Sequence, residues 1–294
     1  MQNMKKRCLF LFGLILAINT QLITNYNMVQ AEPSTNVKQV ESAKRVVALT
    51  SLSADIIHRL DSTKLVGIPG SRLLKQTEGF ARIERVSEGR TQPNLEKIVA
   101  LKPDLVVGSE DFHRDTLQKL EQLGILTLTA KVNSWASLEA LTKNLALSIN
   151  AAPKPLLKQY QTLLAQKSNS QLSTLVLVSR QPILAPNKNS WAGDMLAKFN
   201  LKNLAAQLQG ESQIQGYITL SPEKILQADP DAIFLVENDE KILEQFKSQP
   251  FWSQLKAVKN DRVYVFDYYG LVNPGSIDAI AKTCNSLKSI AIQL

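Results

Sequence analysis

Apolar positions along this chain fall into short runs that alternate with longer segments of helical spacing. Short aliphatic runs predict strands at residues 45–49, 65–68, 105–107, 125–129, 175–179, 183–185, 232–235 and 263–266. Apolar residues three or four positions apart predict helices at residues 54–60, 116–123, 134–148, 193–199, 239–247 and 277–292. Because strand and helix alternate throughout, the sequence predicts an α/β fold in which crossover helices connect parallel-rich sheets.

One motif occurs twice in the chain. LEKIVALKPDLVV at residues 95–107 recurs as PEKILQADPDAIFLV at residues 222–236, with the same spacing from Glu to Pro. Each copy predicts a short helix capped by a polar residue, Asn94 or Ser221. A proline then ends the helix, because it lacks the N–H that would continue the ladder, and a buried strand follows. The repeat predicts two lobes of similar construction.

The predicted organisation has five parts. Residues 1–31 predict a signal peptide, residues 32–44 a flexible polar segment, and residues 45–151 an N-terminal α/β lobe. Residues 152–170 predict a linker helix, because two prolines precede leucines at helical spacing, and residues 171–294 predict a C-terminal α/β lobe. Ligands of open parallel sheets bind beyond the carboxyl ends of the strands. The cleft between the lobes is therefore the predicted ligand site.

The N-terminal segment predicts export to the periplasm. Lys5, Lys6 and Arg7 precede an apolar run at residues 8–18 that is short for a transmembrane helix, and Ala31 offers a small residue before a cut. An uncleaved membrane anchor is the alternative. Because Cys8 precedes the apolar run, it does not resemble the acylated cysteine of a lipoprotein. Cleavage would leave Cys284 alone, so no internal disulfide is expected.

The charge of the chain bears on its partners. The formal net charge is +8; cleavage after residue 31 would remove three of the 34 Lys and Arg residues and none of the 26 Asp and Glu residues, leaving +5. A basic chain could bind nucleic acid, but export argues against it. Anionic small ligands or an acidic protein surface are the expected partners.

Motifs of enzyme chemistry are missing from the sequence. There is no GxSxG, HExxH, CxxC or phosphate-binding glycine loop, and the two histidines, His58 and His113, are far apart. Residues 110–113, EDFH, come nearest to a metal-ligand cluster and predict a solvated loop and helix start. The sequence favours a binding protein. A secreted α/β enzyme is the alternative, and a surface adhesion or assembly protein would not explain the duplication.

Three arginines fall near predicted carboxyl ends of strands: Arg72, Arg90 and Arg180. A guanidinium group offers a rigid fork of donors that matches carboxylate, hydroxamate or catecholate oxygens. Aromatic residues on nearby loops are predicted to form the pocket wall: Trp191, Tyr217, Tyr268 and Tyr269. The other two tryptophans, Trp135 and Trp252, are predicted to be packing residues.

The segments at residues 93–107, 220–236 and 251–267 together resemble the periplasmic binding proteins of ABC importers for iron–siderophore complexes and cobalamin. The resemblance covers roughly residues 45–294. It implies two α/β lobes bridged by one long helix, a ligand between them and a small hinge motion. It also implies a monomer that delivers its ligand to a membrane permease.

Within that family, residues 89–96 are most similar to the hydroxamate-siderophore branch, where the arginine that corresponds to Arg90 contacts the chelate. Phe112 stands where that branch has a ligand-contacting tyrosine, and Gln215 stands where it has a tryptophan. Ferric citrate-like and other siderophores therefore stay open. The expected function is capture of a ferric-siderophore complex, with no resident cofactor because iron arrives within the ligand. Cobalamin and haem are the alternative ligands.

The same resemblance implies that Glu96 and Glu223 dock on arginine pockets of the permease, one from each lobe. These are the two glutamates that the internal repeat superimposes. The alternative is that each carboxylate only faces the positive end of its own helix.

Overall fold

The computed structural model describes residues 42–89, 91–165, 172–208, 212, 214–237 and 241–292. The predicted signal peptide and residues 32–41 of the predicted polar segment lie outside these residues, as does Arg90. The first half of the described chain alternates strand and helix in this order: β1 (Val46–Ala48), α1 (Ser51–Asp61), β2 (Leu65–Ile68), α2 (Arg72–Lys75), β3 (Glu84–Arg85), α3 (Leu95–Ala100), β4 (Leu105–Ser109), α4 (Arg114–Gln122), β5 (Leu126–Ala130) and α5 (Trp135–Ser148).

The second half continues the alternation with one additional hairpin. Its elements are α6 (Lys154–Leu164), β6 (Ser173–Leu177), β7 (Ser179–Arg180), β8 (Ile183–Pro186), α7 (Trp191–Lys198), β9 (Lys202–Asn203), β10 (Tyr217–Leu220), α8 (Pro222–Ala228), β11 (Ala232–Glu237), α9 (Ile242–Lys247), α10 (Lys256–Lys259), β12 (Val263–Asp267), α11 (Tyr268–Leu271) and α12 (Ile277–Ile292).

Two parallel sheets of matching topology confirm the predicted α/β class. The first sheet has the order β3–β2–β1–β4–β5, and the second has the order β9–β6–β11–β12. The central strands β1 and β11 are buried on both faces except at the last residue of β11, because helices cover parallel sheets on both sides. A third sheet, β10–β8–β7, is antiparallel and belongs to the second half.

The repeated Pro-Asp pair has a structural role in both sheets. Asp104 lies before β4, and its Oδ2 accepts hydrogen bonds from the backbone N–H groups of Lys44 (2.6 Å) and Arg45 (2.9 Å), which lead into the neighbouring strand β1. Asp231 lies before β11, and its Oδ2 accepts from the backbone N–H (3.2 Å) and the hydroxyl (2.6 Å) of Ser173 at the start of β6. The duplicated aspartate therefore fastens two neighbouring parallel strands at their amino ends.

The two halves share one hydrophobic core. A single cluster of buried side chains contains Val46 and Ile56 from the first half and Val176 and Phe234 from the second. Separating the lobes widely would expose this apolar surface at a cost of roughly 25 cal/mol per Å². The shared core therefore opposes large hinge motion.

The C-terminal helix contacts both halves of the chain. α12 packs mainly against α11, which precedes it, and also against α6 and against α1 of the first half. The buried Asp55 of α1 explains the attachment, because its Oδ2 accepts the backbone N–H of Ile277 at 2.6 Å and its Oδ1 pairs with Arg59 at 2.9 Å. Arg59 in turn reaches Asp278 at 2.9 Å. Helix α6 lies within the predicted range 152–170, of which residues 166–170 are outside the description.

Candidate functional site

Loops at the carboxyl edge of the first parallel sheet contact the second half of the chain at two points. Arg72 follows β2 in the first sheet, and its guanidinium carbon lies 5.9 Å from the ring centroid of Tyr269, which follows β12 in the second sheet. Lys131 follows β5, and its Nζ donates a hydrogen bond of 3.1 Å to Oε1 of Gln215, which precedes β10. Because β2 and β5 are three strands apart, the contacts stand about 14 Å from each other at the usual strand spacing. The edge between them is the candidate ligand cleft.

Tyrosines line the second-lobe side of this cleft. The rings of Tyr268 and Tyr269 meet edge to face with centroids 5.4 Å apart. Burial raises the pKa of the Tyr217 phenol, and the nearby Tyr268 raises it further. Phenols that stay protonated can donate hydrogen bonds to the oxygens of a ligand. The structure thus brings together three of the four aromatic residues that the sequence predicted for the pocket wall.

Trp191 is not a rim residue, contrary to the prediction. Only 3% of its surface is exposed, and its ring stacks on Trp135 with centroids 6.0 Å apart and planes 14° from parallel. Its Nε1 donates a hydrogen bond of 2.7 Å to the carbonyl oxygen of Gly270. Asp194, one turn further along α7, accepts the backbone N–H of Trp135 at 2.7 Å and so satisfies the first turn of α5. The pair of tryptophans packs the two lobes together; Trp135 and Trp252 are buried as predicted.

Gly270 shows why the chain needs glycine beneath the tyrosines. Its φ is +100°, and a Cβ atom there would stand 2.3 Å from the carbonyl oxygen of Ala279 and from Oγ1 of Thr283. A larger residue would push the chain away from α12. This close approach fixes the segment that carries Tyr268 and Tyr269.

Arg180 lies apart from these tyrosines. In the antiparallel sheet, Arg180 pairs with Ile183 and Ile183 with Leu220, whereas Tyr217 pairs with Pro186 at the opposite end. Three residues of strand separate the two ends, or about 10 Å. The structure therefore does not place Arg180 with Tyr217, although both were predicted for one pocket.

The prediction for Arg90 falls outside the described residues, but its preceding neighbour is placed. A Cβ on Gly70 would lie 2.4 Å from the carbonyl oxygen of Ser87 and 3.0 Å from the backbone nitrogen of Gly89. The backbone at residues 87–89 therefore packs against the loop that leads into Arg72. The assignment of Arg90 as a ligand donor stays a prediction.

The loop after β4 carries Phe112 and an ion pair. Phe112 is 48% exposed, and its ring lies edge to face with His113 at 5.0 Å. Glu110 pairs with Lys131 at 3.2 Å, and Lys131 also bonds Gln215 across the cleft. Lys131 was not among the predicted cleft residues, although it shares the feature that singled out the arginines, a cation just after a strand.

His113 is a buried, neutral residue at this loop. It is 6% exposed, and its Nδ1 lies 3.0 Å from the backbone nitrogen of Ser109, which can only donate. Nδ1 therefore accepts, and burial lowers the pKa of His113 to about 4. Glu110 pairs with Lys131, and residues 110–113 form a loop and the start of α4.

We expect His113 to make the chain less stable in mild acid. The unfolded imidazole takes up a proton near pH 6.5 and the folded one only near pH 4, so its contribution is present above pH 6.5 and falls as the pH drops towards 4. The loss should reach about 2 kcal/mol, allowing for relaxation of the loop. Urea unfolding at pH 7 and pH 4.5 measures it. His113→Asn should flatten this dependence, and an equally steep profile in the variant would contradict the assignment.

Glu96 and Glu223 occupy equivalent positions in the two lobes. Both are exposed in the first turn of their helices, where Asn94 Oδ1 accepts the N–H of Lys97 (3.0 Å) and Ser221 Oγ accepts that of the corresponding residue in α8 (3.3 Å). A hydrogen bond with Ser221 lowers the pKa of Glu223. Neither carboxylate forms an ion pair within the described part of the chain, so both are accessible to a partner.

Among the described residues, no group of three or more His, Cys, Asp or Glu side chains is placed to hold a metal ion. No helix in the described ranges has the length and apolar character needed to cross a membrane.

Sequence comparison places the chain among known transport proteins. A family model described as periplasmic binding protein matches residues 46–269. The Fe(3+)-citrate-binding protein YfmC of Bacillus subtilis is 26% identical over 239 residues, which cover 76% of this chain and 73% of YfmC. The Fe(3+) dicitrate-binding periplasmic protein FecB of Escherichia coli is 26% identical, covering 88% of this chain and 87% of FecB. A vitamin B12-binding protein of Vibrio cholerae is 25% identical, covering 84% and 90% respectively.

Structure comparison gives the same fold. The periplasmic haem-binding protein HutB of Vibrio cholerae superimposes with a TM-score of 0.70 at 17% identity, covering 84% of this chain and 98% of HutB. The vitamin B12-binding protein BtuF of Vibrio cholerae gives 0.63 at 23% identity, covering 86% and 99%. At these sequence identities, the structural similarity supports the fold assignment and no assignment of ligand or function.

Proposed function

The chain belongs to the periplasmic binding protein family, and on that premise we propose that it captures a ferric chelate of the siderophore class between its lobes for delivery to an ABC importer. The proteins that it matches bind and transport small molecules and are not enzymes. Membership therefore implies a small-molecule ligand and a membrane ABC permease as partners. The proposed compartment is the periplasm, reached through the predicted signal peptide.

One observation carries the proposal. The carboxyl edge of the first sheet contacts the second half of the chain at Arg72–Tyr269 and Lys131–Gln215, and the cleft between these contacts offers cationic and phenolic groups. Ferric chelates present a shell of anionic or polarised oxygens around the metal. Cations and protonated phenols are suitable donors to such oxygens. Iron is the cargo inside the ligand, and the chain needs no ligand set of its own for it.

The names of the relatives support a citrate-like chelate. YfmC and FecB are both named for binding ferric citrate, whose carboxylate and hydroxyl oxygens match the proposed donors. Arg90 is proposed as the main chelate contact, with Arg72 beside it. Tyr217, Tyr268 and Phe112 would pack around the ligand.

Cobalamin is the second candidate, since a vitamin B12-binding relative aligns over 90% of its length. Cobalamin carries less negative charge than a ferric polycarboxylate, so it would depend more on the tyrosines and less on the arginines. Haem would need an axial ligand in the cleft. His113 is poorly suited, because its Nδ1 is occupied and its ring is buried, which leaves the tyrosines.

A fluorescence titration tests the proposal. The mature protein is titrated with ferric citrate, a ferric hydroxamate, a ferric catecholate, cobalamin and haemin. We expect saturable quenching at submicromolar concentration by one ferric complex. Saturation by cobalamin or haemin alone would mean that this compound, and not a ferric chelate, is the ligand. If none of the compounds gives a response, the siderophore proposal is wrong and the family assignment still stands.

Arginine variants then locate the ligand. Arg90→Ala should weaken binding by roughly 1.5–3 kcal/mol, because a charge-assisted hydrogen bond to the chelate is lost. Arg180→Ala is the matched control: it removes the same group at the far end of the antiparallel sheet and should leave the affinity unchanged. Equal effects of the two variants would contradict the placement of the ligand at the cleft.

A further inference from the structure

A cavity of about 320 Å³ lies in the second lobe, at the far end of the antiparallel sheet from Tyr217. The β7–β8 turn and the start of α8 form its walls. Its lining includes the polar residues Arg180, Gln181, Thr219 and Gln249 and the apolar residues Ile183 and Leu220. It is separate from the cleft that we assign to the ligand.

The chemistry of the cavity suits a carboxylate. Arg180 is half-buried, and its side chain forms no ion pair or hydrogen bond with any of the described residues. A guanidinium beside apolar walls gains most from an anion that accepts two parallel N–H bonds. The Gln249 amide and the Thr219 hydroxyl stand at the same cavity and can complete the contacts of a carboxylate's oxygens.

The position of the cavity identifies the source of that carboxylate. Pro222, the first residue of α8, forms part of the wall, and the next residue is the exposed Glu223. A protein surface that meets Glu223 therefore lies next to the cavity. We infer that the cavity receives an acidic side chain of the ABC permease; this rests on the proposed function, in which Glu223 docks on that permease.

This contact would make the two docking surfaces unequal. Glu96 and Glu223 are equivalent in the repeat, but the β7–β8 hairpin that walls the cavity belongs to the second lobe, and the described strands of the first lobe are all parallel. A permease carboxylate at Arg180 would therefore recognise the second lobe only. The ion pair between Arg180 and the permease carboxylate would fix the orientation of the chain on the permease.

The test uses proteoliposomes that contain the permease with which the wild-type chain supports uptake. Binding of the mature protein is measured for Arg180→Glu, for Arg180→Gln and for Lys198→Glu, an equal charge change at an exposed position of the same lobe. We expect Arg180→Glu to weaken permease binding by at least about 10-fold, Arg180→Gln less and Lys198→Glu little. Melting temperature and ligand affinity should stay unchanged in all three.

A charge-reversal cycle identifies the partner residue. Exposed Asp and Glu residues of the permease are changed one at a time to Lys, and one of these changes should restore binding of the Arg180→Glu variant. If Arg180→Glu binds like wild type while Glu223→Ala binds weakly, the cavity inference is wrong and docking stands. If neither weakens binding, docking through this face of the second lobe is wrong as well.

Calorimetric titration with acetate and succinate shows whether the cavity binds a free carboxylate or a carboxylate of the permease. Submillimolar binding that Arg180→Gln removes, together with normal permease binding of Arg180→Glu, would assign the cavity to a free carboxylate and overturn the inference. Absence of such binding, with weakened docking of Arg180→Glu, supports it.

Discussion

Replacing Glu96 and Glu223 together by alanine should reduce uptake through the permease by at least about 100-fold, while the affinity for the ligand stays unchanged. Both carboxylates are exposed in helix first turns and have no ion-pair partner within the described residues. They lie at corresponding positions in the two lobes, so each lobe offers the permease one carboxylate. Loss of both would remove the charged contact on either side.

The measurement is uptake into cells that lack the chromosomal gene and carry each variant, with ligand affinity determined on the purified proteins. Glu78→Ala combined with Glu244→Ala is the matched control, because it removes two exposed glutamates outside the repeat. Each single variant should show an intermediate defect. Normal uptake by the double variant would mean that the two glutamates serve only their own helices.

Replacing Trp191 by alanine should destabilise the chain by about 3–5 kcal/mol, the usual cost of removing a large buried aromatic side chain. Trp191 is 3% exposed, stacks on Trp135 and donates to the carbonyl of Gly270. Its loss would leave a cavity between the lobes and an unsatisfied carbonyl oxygen beneath the tyrosine segment. Trp191→Phe should cost less, because it keeps an aromatic ring in the site and loses the hydrogen bond and a smaller part of the packed volume.

Urea unfolding at neutral pH measures both variants, and ligand titration in the absence of denaturant shows whether the folded fraction still binds. Tyr268→Ala serves as the comparison, since Tyr268 is half-buried at the cleft and should affect binding more than stability. If Trp191→Ala binds the ligand weakly but changes the free energy of unfolding by less than about 1 kcal/mol, Trp191 contacts the ligand at the pocket rim, as the sequence predicted.

Local sequence patterns predicted much of the secondary structure. The predicted strand at residues 65–68 and the predicted helix at residues 277–292 match β2 and α12 at both ends. The predicted capping residues Asn94 and Ser221 accept backbone hydrogen bonds from the first turns of their helices. These features depend on residues that are neighbours in the chain, so periodicity and side-chain chemistry suffice to predict them.

Short elements without an apolar run were missed. β3 has two residues, Glu84 and Arg85, and β9 consists of Lys202 and Asn203. Both lie at sheet edges, where a strand needs hydrogen bonds to one neighbour and little apolar surface. The neighbouring strand, and not the local sequence, makes these residues extended.

The sequence by itself determined the α/β class, the duplication and the positions of Glu96 and Glu223. The alternation of strands and helices, the spacing of the repeat and the helix caps all depend on residues that are close together in the chain. Only the tertiary structure decided that Trp191 is buried, that Arg180 lies at the end of the small sheet away from Tyr217, and that α12 packs on α1. Each of these depends on contacts between residues far apart in the chain. Such contacts are selected by the packing of whole elements, which no local pattern specifies.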